Sequence, residues 1–257
     1  GRPHVDRIPV GGFGRTGRPP APDLPATVVV ATCNRPNELA LCITSLLALD
    51  HDDFDIVVVD NAADDPRARE VVARFGGGRT PVRYVHEPRP GLARAHNAAR
   101  PHVTGSVIAI TDDDVVGDRS WLRWLCHGFT VAEDVGAVTG MIFPAELETP
   151  TQAWTDVHAG YNKGYDRRVV GLADAPGSLL PWATGTIGSG ANMAFRTTAP
   201  DAIGWVDHPP RARTRQGEPE GGPVRARGPA RAEPIRALAY RLYTLCERKG
   251  WADDARA

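Results

Sequence analysis

A short apolar run that ends in three consecutive acids, Val107 to Asp114, constrains the fold most. Its first residues are β-branched or small, and such a run, bounded by a glycine, predicts a buried strand. Adjacent carboxylates repel one another, and burying them is costly unless a cation compensates. Because ligands of open α/β sheets bind beyond the carboxyl ends of strands, the acids predict a site for a divalent metal and phosphate. A solvated, aspartate-rich turn is the alternative.

Two valine-rich runs earlier in the chain, 26–31 and 55–59, predict two more buried strands. Apolar residues at helical spacing between 36 and 49 predict a helix between these strands, beginning at Pro36. Strand, helix and strand at this spacing form a βαβ unit with parallel strands. We therefore predict the α/β class, with a mostly parallel, Rossmann-like sheet flanked by helices. The same reasoning predicts helices over 67–75 and 91–99 and a strand over 82–85.

The patterns after the acidic run are weaker. Amphipathic spacing from Ser120 predicts a helix, residues 137–140 look like a strand, and the glycine-rich stretch 185–196 ends as a strand. These glycines suit either close approach to a ligand or ordinary turns. The aromatic residues of 144–182 suit either a pocket or the core.

Composition argues against several classes of protein. A net charge of -1 gives no support to a nucleic-acid binder, because such proteins usually carry a basic excess. No apolar run approaches the roughly 20 residues of a membrane span, and the sequence begins without a signal-peptide core. The four cysteines lack zinc-site spacing, so free thiols in a reducing compartment are the simplest account. We expect a cytoplasmic protein and leave a peripheral membrane contact open.

Five motifs in order give the chain a family resemblance. They are VVVATCNRP, VVVDNAADD, RPGLARAHNAA, VIAITDDDV and GTIGSGANMAFR, between residues 26 and 196. On a βαβ framework they resemble glycosyltransferase family 2, the inverting enzymes of GT-A fold that use nucleotide-diphospho-sugars. The resemblance implies such a donor, a glycan, lipid-linked or small-molecule acceptor, and Mg²⁺ or Mn²⁺ as cofactor.

The resemblance also implies roles for residues of the donor site. Thr32, Arg35 and Asp60 would hold the nucleoside. Arg94 and Asn97 would face the phosphates or the sugar of the donor, on a helix that begins after a glycine and offers backbone N–H donors. The ordinary alternatives are that Asp60 caps a turn and that Arg94 is a solvated helix residue.

The acidic triplet matches the DxD motif of the family. Asp112 and Asp114 are its outer positions and would bind the metal, since carboxylate oxygens suit Mg²⁺ or Mn²⁺. Asp112 and Asp113 also count among the expected donor-site residues, although alternation along an extended segment would turn Asp113 elsewhere. The loop at 188–192 matches the acceptor side of the family, with Gly190 and Asn192 as candidates.

The chain departs from the family where the catalytic base is expected. An inverting transfer needs a base to take the proton of the acceptor hydroxyl. The family supplies it from a Glu-Asp pair soon after the last motif, and no such pair occurs there. Asp207 and His208 are the nearest titratable residues, and Asp156 and His158 are further candidates. The sequence leaves the base unassigned.

A change of composition coincides with this departure. Residues 205–257 form a tail rich in Arg, Pro and Gly, with an amphipathic helix predicted over 235–249. A tail read out of frame or fused from elsewhere would explain the change, and a native tail is the alternative. The other predicted domains are an irregular lead-in over 1–25 and a GT-A domain over 26–204, divided into a donor half at 26–118 and an acceptor half at 119–204.

Two functions of different class remain open. The first is a metal-dependent inverting glycosyltransferase acting on an acceptor hydroxyl. The second is a nucleotide-sugar-binding protein, or a truncated or frameshifted transferase that lacks its base. Product formation, as against binding alone, distinguishes them. A dinucleotide-dependent oxidoreductase is disfavoured because no GxGxxG motif follows the first strand.

Overall fold

The computed structural model of the chain describes residues 24–62, 65–130, 133, 135–145, 147–159, 168–170, 189–203 and 242–244. The strands in this part are β1 (Ala26–Thr32), β2 (Phe54–Asp60), β3 (Val82–His86), β4 (Val107–Asp112), β5 (Ala137–Thr139), β6 (Arg168–Val170), β7 (Asn192–Arg196) and β8 (Leu242–Thr244). The helices are α1 (Pro36–Leu47), α2 (Arg67–Arg74), α3 (Leu92–Ala99), α4 (Trp121–Gly128), α5 (Pro150–Ala159) and α6 (Thr198–Ile203), and a 3₁₀ turn over Arg100–His102 follows α3.

The described strands form one mixed sheet in the order β3-β2-β1-β4-β7-β5-β8-β6. The first four strands of the chain run parallel, which confirms the prediction from the valine-rich runs. β7 is antiparallel to both β4 and β5. In the register of the parallel strands, Thr32 lies beside Asp60, and Ala31 lies beside Asp112. The carboxyl ends of β1, β2 and β4 therefore meet at one edge of the sheet.

Helices cover both faces of the parallel strands. Every residue of β2 is buried, as expected for a strand with helices on both sides. Successive side chains of a strand point to opposite faces, so the valine runs supply two separate cores. The larger core packs Val28, Val30, Ile56 and Val58 against apolar residues of α1, α2 and α4, and the smaller packs Val29, Val57 and Ile108 against Ala95 and Ala99 of α3.

A polar cluster lies at the amino ends of the parallel strands, opposite the carboxyl ends of β1, β2 and β4. Thr27 Oγ1 donates a hydrogen bond to Asp55 Oδ1 at 2.7 Å and accepts from the backbone N–H groups of Thr104 and Gly105, each at 3.1 Å. Arg83 forms an ion pair with the second oxygen of the Asp55 carboxylate. The buried polar groups are thus paired, and they fasten the segment before β4 to the start of β1.

The helix predicted over 235–249 is wrong for Leu242–Thr244, which form β8 and pair with β5 and β6. Tyr243 and Thr244 belong to residue types that are enriched in strands, and pairing with neighbouring strands outweighs the helical spacing of the leucines. The rest of that stretch lies outside the described residues. No helix of the described part of the chain is long and apolar enough to cross a membrane.

Candidate active site

A cleft of about 350 Å³ lies where the carboxyl ends of β1, β2 and β4 meet. Several residues predicted from the sequence line it together, although they are far apart along the chain. The parallel register explains this, because it brings the loops that follow these strands to one place. The lining residues are Ala31, Thr32, Cys33, Arg35, Asn61, Leu92, Ala95, Asp112, Asp113 and Asp114.

The loop after β1 is bonded to the acidic triplet. Asn34 has a φ of 59°, a left-handed conformation that asparagine tolerates, and Arg35 follows it. Arg35 Nη1 lies 3.1 Å from Asp113 Oδ1 and 2.9 Å from Asp114 Oδ2. Thr32 Oγ1 donates a hydrogen bond to Asp113 Oδ2 at 2.7 Å. The buried Asp113 carboxylate therefore positions Thr32 and Arg35, while its contact with a donor stays a prediction.

Asp112 and Asp114 are the carboxylates that fit a metal. Burial raises the pKa of Asp112, and the negative charges of Asp114 and Asp113 raise it further, so a cation here would relieve repulsion. In the described ranges, no three His, Cys, Asp or Glu side chains converge to hold a metal alone. Two carboxylates suffice for Mg²⁺, because this ion usually takes its other ligands from water and substrate phosphates.

Asp60 is buried at the end of β2, with only 1 % of its surface exposed. Its Oδ1 accepts a hydrogen bond from the Ala62 N–H at 3.0 Å, and its Oδ2 accepts from the Tyr84 hydroxyl at 2.8 Å. Burial raises the pKa of Tyr84, and the hydrogen bond to Asp60 raises it further. Asp60 thus caps the turn after β2, which is the ordinary alternative for this residue. Its contact with the nucleoside stays a prediction.

Helix α3 forms one wall of the cleft. Its lining residues are Leu92 and Ala95, so the structure does not place Arg94 and Asn97 among the residues that line the cleft. The residue before the helix, Gly91, has a φ of 135°, which favours glycine. The roles of Arg94 and Asn97 at the phosphates or sugar of the donor stay predictions.

Sequence reasoning missed Asn61, whose side chain lines the cleft and bonds to the loop at 87–91. The motif VVVDNAADD contains it directly after Asp60, but local spacing does not reveal partners more than 25 residues away. Sequence reasoning also missed Cys33, an exposed thiol in the cleft. The signal for Cys33 was its place in the loop between Thr32 and Arg35.

The loop at 87–91 carries a buried carboxylate, Glu87, which forms an ion pair with Arg89. Arg89 donates from Nε at 2.7 Å, from Nη2 at 2.6 Å and from its backbone N–H at 3.0 Å. These bonds, led by the side-chain bonds from Arg89, lower the pKa of Glu87 to about 2. A carboxylate with a lowered pKa in the folded state stabilises the protein above its unfolded pKa, near 4.5. This stability is lost as the pH falls from about 4.5 towards 2.

We predict that Glu87→Gln lowers the free energy of unfolding at pH 7 by about 1 kcal/mol or less, because solvent screens a pair whose arginine is exposed. The variant should also lose less stability than the wild type between pH 5 and pH 3, since it lacks the titrating group. Urea unfolding at several pH values measures both effects. Parallel pH profiles for the two proteins would contradict the prediction.

The candidates on the acceptor side differ in exposure. Gly190 is exposed, whereas only 7 % of the Asn192 surface is exposed. Asn192 Oδ1 accepts a hydrogen bond from Trp121 Nε1 at 2.8 Å, and Nδ2 donates to the Met141 carbonyl at 2.7 Å. Asn192 thereby joins β7 to α4 and to the segment after β5. Contact of either candidate with an acceptor stays a prediction.

The structure does not locate the catalytic base. Asp207 and His208 lie outside the described residues. Asp156 and His158 occupy positions on α5, but their side chains are not among those described. The base therefore stays unassigned.

Comparisons of sequence bear on the family of the chain. The family model of glycosyl transferase family 2 matches residues 27–169, which is more than half of the chain. The chain belongs to this family. The match includes the loop after β1, the end of β2, helix α3 and the acidic triplet, and so it confirms the resemblance of the motifs. A second model, a domain of unknown function (DUF8807), matches residues 202–257, which agrees with the divergence of the tail.

Relatives and solved structures extend the comparison. An uncharacterized glycosyltransferase of Nostoc sp. is 27 % identical over 113 residues, 44 % of this chain and 35 % of that protein. The chain thus spans about a third of the length of this curated relative. Two solved structures share the GT-A fold, although their sequence identities are too low to show more than the fold.

The first structure is mannosyltransferase PcManGT from Pyrobaculum calidifontis in complex with GDP-Man and Mn²⁺. It has a TM-score of 0.50 and 22 % identity, with 71 % of this chain and 47 % of that chain covered. The second is TarS 1–349 of S. aureus, with a TM-score of 0.56 and 15 % identity, and with 88 % and 59 % covered. The chain spans about half of the mannosyltransferase.

Proposed function

We propose that the protein is an inverting glycosyltransferase that moves a sugar from a nucleotide-diphospho-sugar to an acceptor hydroxyl with the help of Mg²⁺ or Mn²⁺. One observation carries the proposal: Asp112 and Asp114 lie in a cleft at the carboxyl ends of the strands, beside Thr32 and Arg35. Membership of glycosyl transferase family 2 supports it. The GDP-Man and Mn²⁺ in the mannosyltransferase structure are consistent with such a donor and ion.

The cleft offers groups for both ends of a donor. Thr32 lines the cleft, and Asp60, which is not among the lining residues, lies beside it in the register of β1 and β2; both would hold the nucleoside. Arg35, with its exposed guanidinium, would move from the carboxylates to a phosphate oxygen, for which arginine is well suited. Asp112 and Asp114 would hold the metal. A divalent ion bound there would neutralise charge on the leaving nucleoside diphosphate.

In the proposed reaction, the acceptor oxygen attacks the anomeric carbon while the bond from that carbon to the diphosphate oxygen breaks. The acceptor proton passes to a base of this chain, for which Asp207, His208, Asp156 and His158 are the candidates. The acceptor is a glycan, a lipid-linked sugar or a small molecule. The nucleoside diphosphate leaves with the bonding electron pair.

A second candidate function is binding of a nucleotide-sugar without transfer. Two observations favour it: the sequence has no Glu-Asp pair after the last motif, and a different family model begins at residue 202. The predicted donor-site residues lie between 32 and 114, whereas Asp207 and His208, the candidates nearest to the expected place of the base, lie in the part that the second model matches. A protein can therefore keep the donor site and lack the base.

The proposal predicts that one of UDP, GDP and dTDP binds the purified chain in the presence of Mn²⁺ and shields Cys33. The Cys33 thiol is exposed in the cleft, so a nucleotide there should slow its alkylation by about tenfold or more at saturation. Peptide mass mapping follows Cys33 separately from the other cysteines. Cys42 is buried, and burial raises its pKa to about 12, so it should stay unreactive throughout.

Alkylation of Cys33 at the same rate with and without each of the three nucleotides, in the presence of Mn²⁺, would contradict the donor site. If one nucleotide binds, the corresponding nucleotide-sugars are incubated with the protein and a panel of sugar and lipid-linked acceptors. Glycosylated product, detected by mass spectrometry, supports the transferase. Binding without product or release of nucleoside diphosphate supports the second candidate function.

A further inference from the structure

Asn61 stands at the junction of the two sides of the cleft. It follows the last residue of β2, and its backbone N–H donates a hydrogen bond to the Thr32 carbonyl at 2.8 Å. This bond continues the pairing of β1 with β2 by one residue beyond the strands. The backbone of Asn61 is therefore fixed to the side of the cleft that carries Thr32 and the acidic triplet.

The side-chain amide of Asn61 makes three hydrogen bonds, all to the loop at 87–91. Nδ2 donates to the carbonyl of Glu87 at 2.7 Å and to that of Arg89 at 2.8 Å. Oδ1 accepts from the N–H of Gly91 at 2.8 Å. This pattern requires two donors and one acceptor on a short side chain. Asparagine supplies them, whereas an aspartate of the same shape has no hydrogen to donate to two carbonyls.

The loop held by Asn61 leads directly into α3. The Gly91 carbonyl accepts hydrogen bonds from Arg94 N–H at 2.9 Å and Ala95 N–H at 3.1 Å, which start the helix. Gly91 thus donates its N–H to Asn61 Oδ1, and its carbonyl accepts the first hydrogen bonds of α3. We call the three hydrogen bonds from the Asn61 side chain to the loop at 87–91 the tether. Because Leu92 and Ala95 of that helix line the cleft, the tether fixes the position of the α3 wall.

We infer that Asn61 is a positioning residue of the donor site, which holds the α3 wall at the spacing that a nucleoside diphosphate needs. The inference rests on the proposed function, since it names the ligand for which the spacing is set. Asn61 acts through Gly91 and α3. Its loss should therefore weaken donor binding, and raise KM for the donor, more than it lowers kcat.

The test compares Asn61→Ala and Asn61→Asp with Thr27→Val. Thr27 lies at the opposite end of β1 and makes three hydrogen bonds of its own, so Thr27→Val matches the loss of stability without touching the cleft. Hydrogen exchange of the Gly91 amide and of the first turn of α3 reports the tether directly. Affinity for UDP, GDP and dTDP with Mn²⁺ reports the donor site.

In both Asn61 variants, we expect the Gly91 amide to exchange about tenfold faster or more, because the side-chain oxygen that accepts its hydrogen bond is lost in Asn61→Ala and repelled by the loop carbonyls in Asn61→Asp. The nucleotide that the wild type binds should bind about tenfold more weakly, since a hydrogen-bond increment of about 1.4 kcal/mol corresponds to a factor of ten. Thr27→Val should lower the thermal unfolding midpoint but keep the wild-type exchange at Gly91 and the wild-type affinity.

Wild-type affinity in Asn61→Ala would overturn the inference, however stable the variant is. An equal loss of affinity in Thr27→Val would also overturn it, because the effect would then follow stability. A wild-type chain that binds none of the three nucleotides would overturn the proposed function and, with it, the donor-site role of Asn61. Faster exchange at Gly91 in that case would still show the tether, so the two failures are distinguishable.

Discussion

Asp114→Ala is expected to abolish the metal-dependent part of nucleotide binding and to lower sugar transfer by about 10²–10³-fold. Asp114 is one of two carboxylates that fit the metal, and its partner Asp112 is half buried beside it. The variant leaves a single carboxylate for the ion. The ion in turn neutralises the diphosphate of the donor, so binding and leaving-group departure should suffer together. Calorimetry with nucleoside diphosphate, with and without Mn²⁺, measures the binding effect.

Asp52→Ala is the matched control for this variant. Asp52 forms an ion pair with Arg79 at 3.2 Å and has a side chain 55 % exposed, whereas Asp114 pairs with Arg35 at 2.9 Å and is 54 % exposed. The two variants thus delete similar surface pairs, which contribute about 1 kcal/mol or less to stability. Asp52 precedes β2, away from the cleft, and its loss should leave binding unchanged. Mn²⁺-dependent binding that survives in Asp114→Ala would contradict the metal assignment.

The parallel half of the fold could be predicted because its signals are local. Runs such as Val28 to Val30 and Ile56 to Val59 can only be buried on both faces, and the strand-helix-strand spacing leaves one handedness for the connection. β8 could not be predicted, because its state depends on pairing with β5 and β6 rather than on its own spacing. The leucines at helical spacing predicted a helix over 235–249, but such spacing carries no information on which strands a segment can pair with.

The sequence predicted part of the lining of the cleft, but it missed Asn61 and Cys33 and gave none of the side-chain contacts. The motifs indicated that Thr32, Arg35 and the aspartates lie at or just after strand ends. The parallel register places those ends at one edge of the sheet. The partners of each side chain lie far along the chain; the bond from Thr32 to Asp113 spans 81 residues. Local spacing carries no information on such pairs. The same limit hid Asn61, whose role depends on a loop that begins 26 residues later.

Gly105→Ala is expected to lower the free energy of unfolding by about 3 kcal/mol or more, a large part of the roughly 5–15 kcal/mol typical of native proteins. A Cβ at Gly105 would lie 2.6 Å from the backbone of Ala26 and 2.7 Å from the carbonyl oxygen of Pro25. Neither the backbone at Gly105 nor the backbone of Pro25 and Ala26 can shift easily to relieve the clash. The Gly105 N–H is bonded to Thr27, and its carbonyl accepts from the Thr197 hydroxyl at 2.7 Å.

The Gly105→Ala effect should appear in thermal unfolding as a midpoint lower by about 6–12 °C, from the usual relation for a domain of this size. Gly78→Ala is the control, because a Cβ there meets only the Phe75 carbonyl oxygen at 4.0 Å, and its midpoint should stay near that of the wild type. Equal midpoints for the two variants would contradict the clash. Since Gly105 precedes β4 and Asp112 ends it, Gly105→Ala that is still folded should keep its nucleotide affinity, which separates the fold from the site.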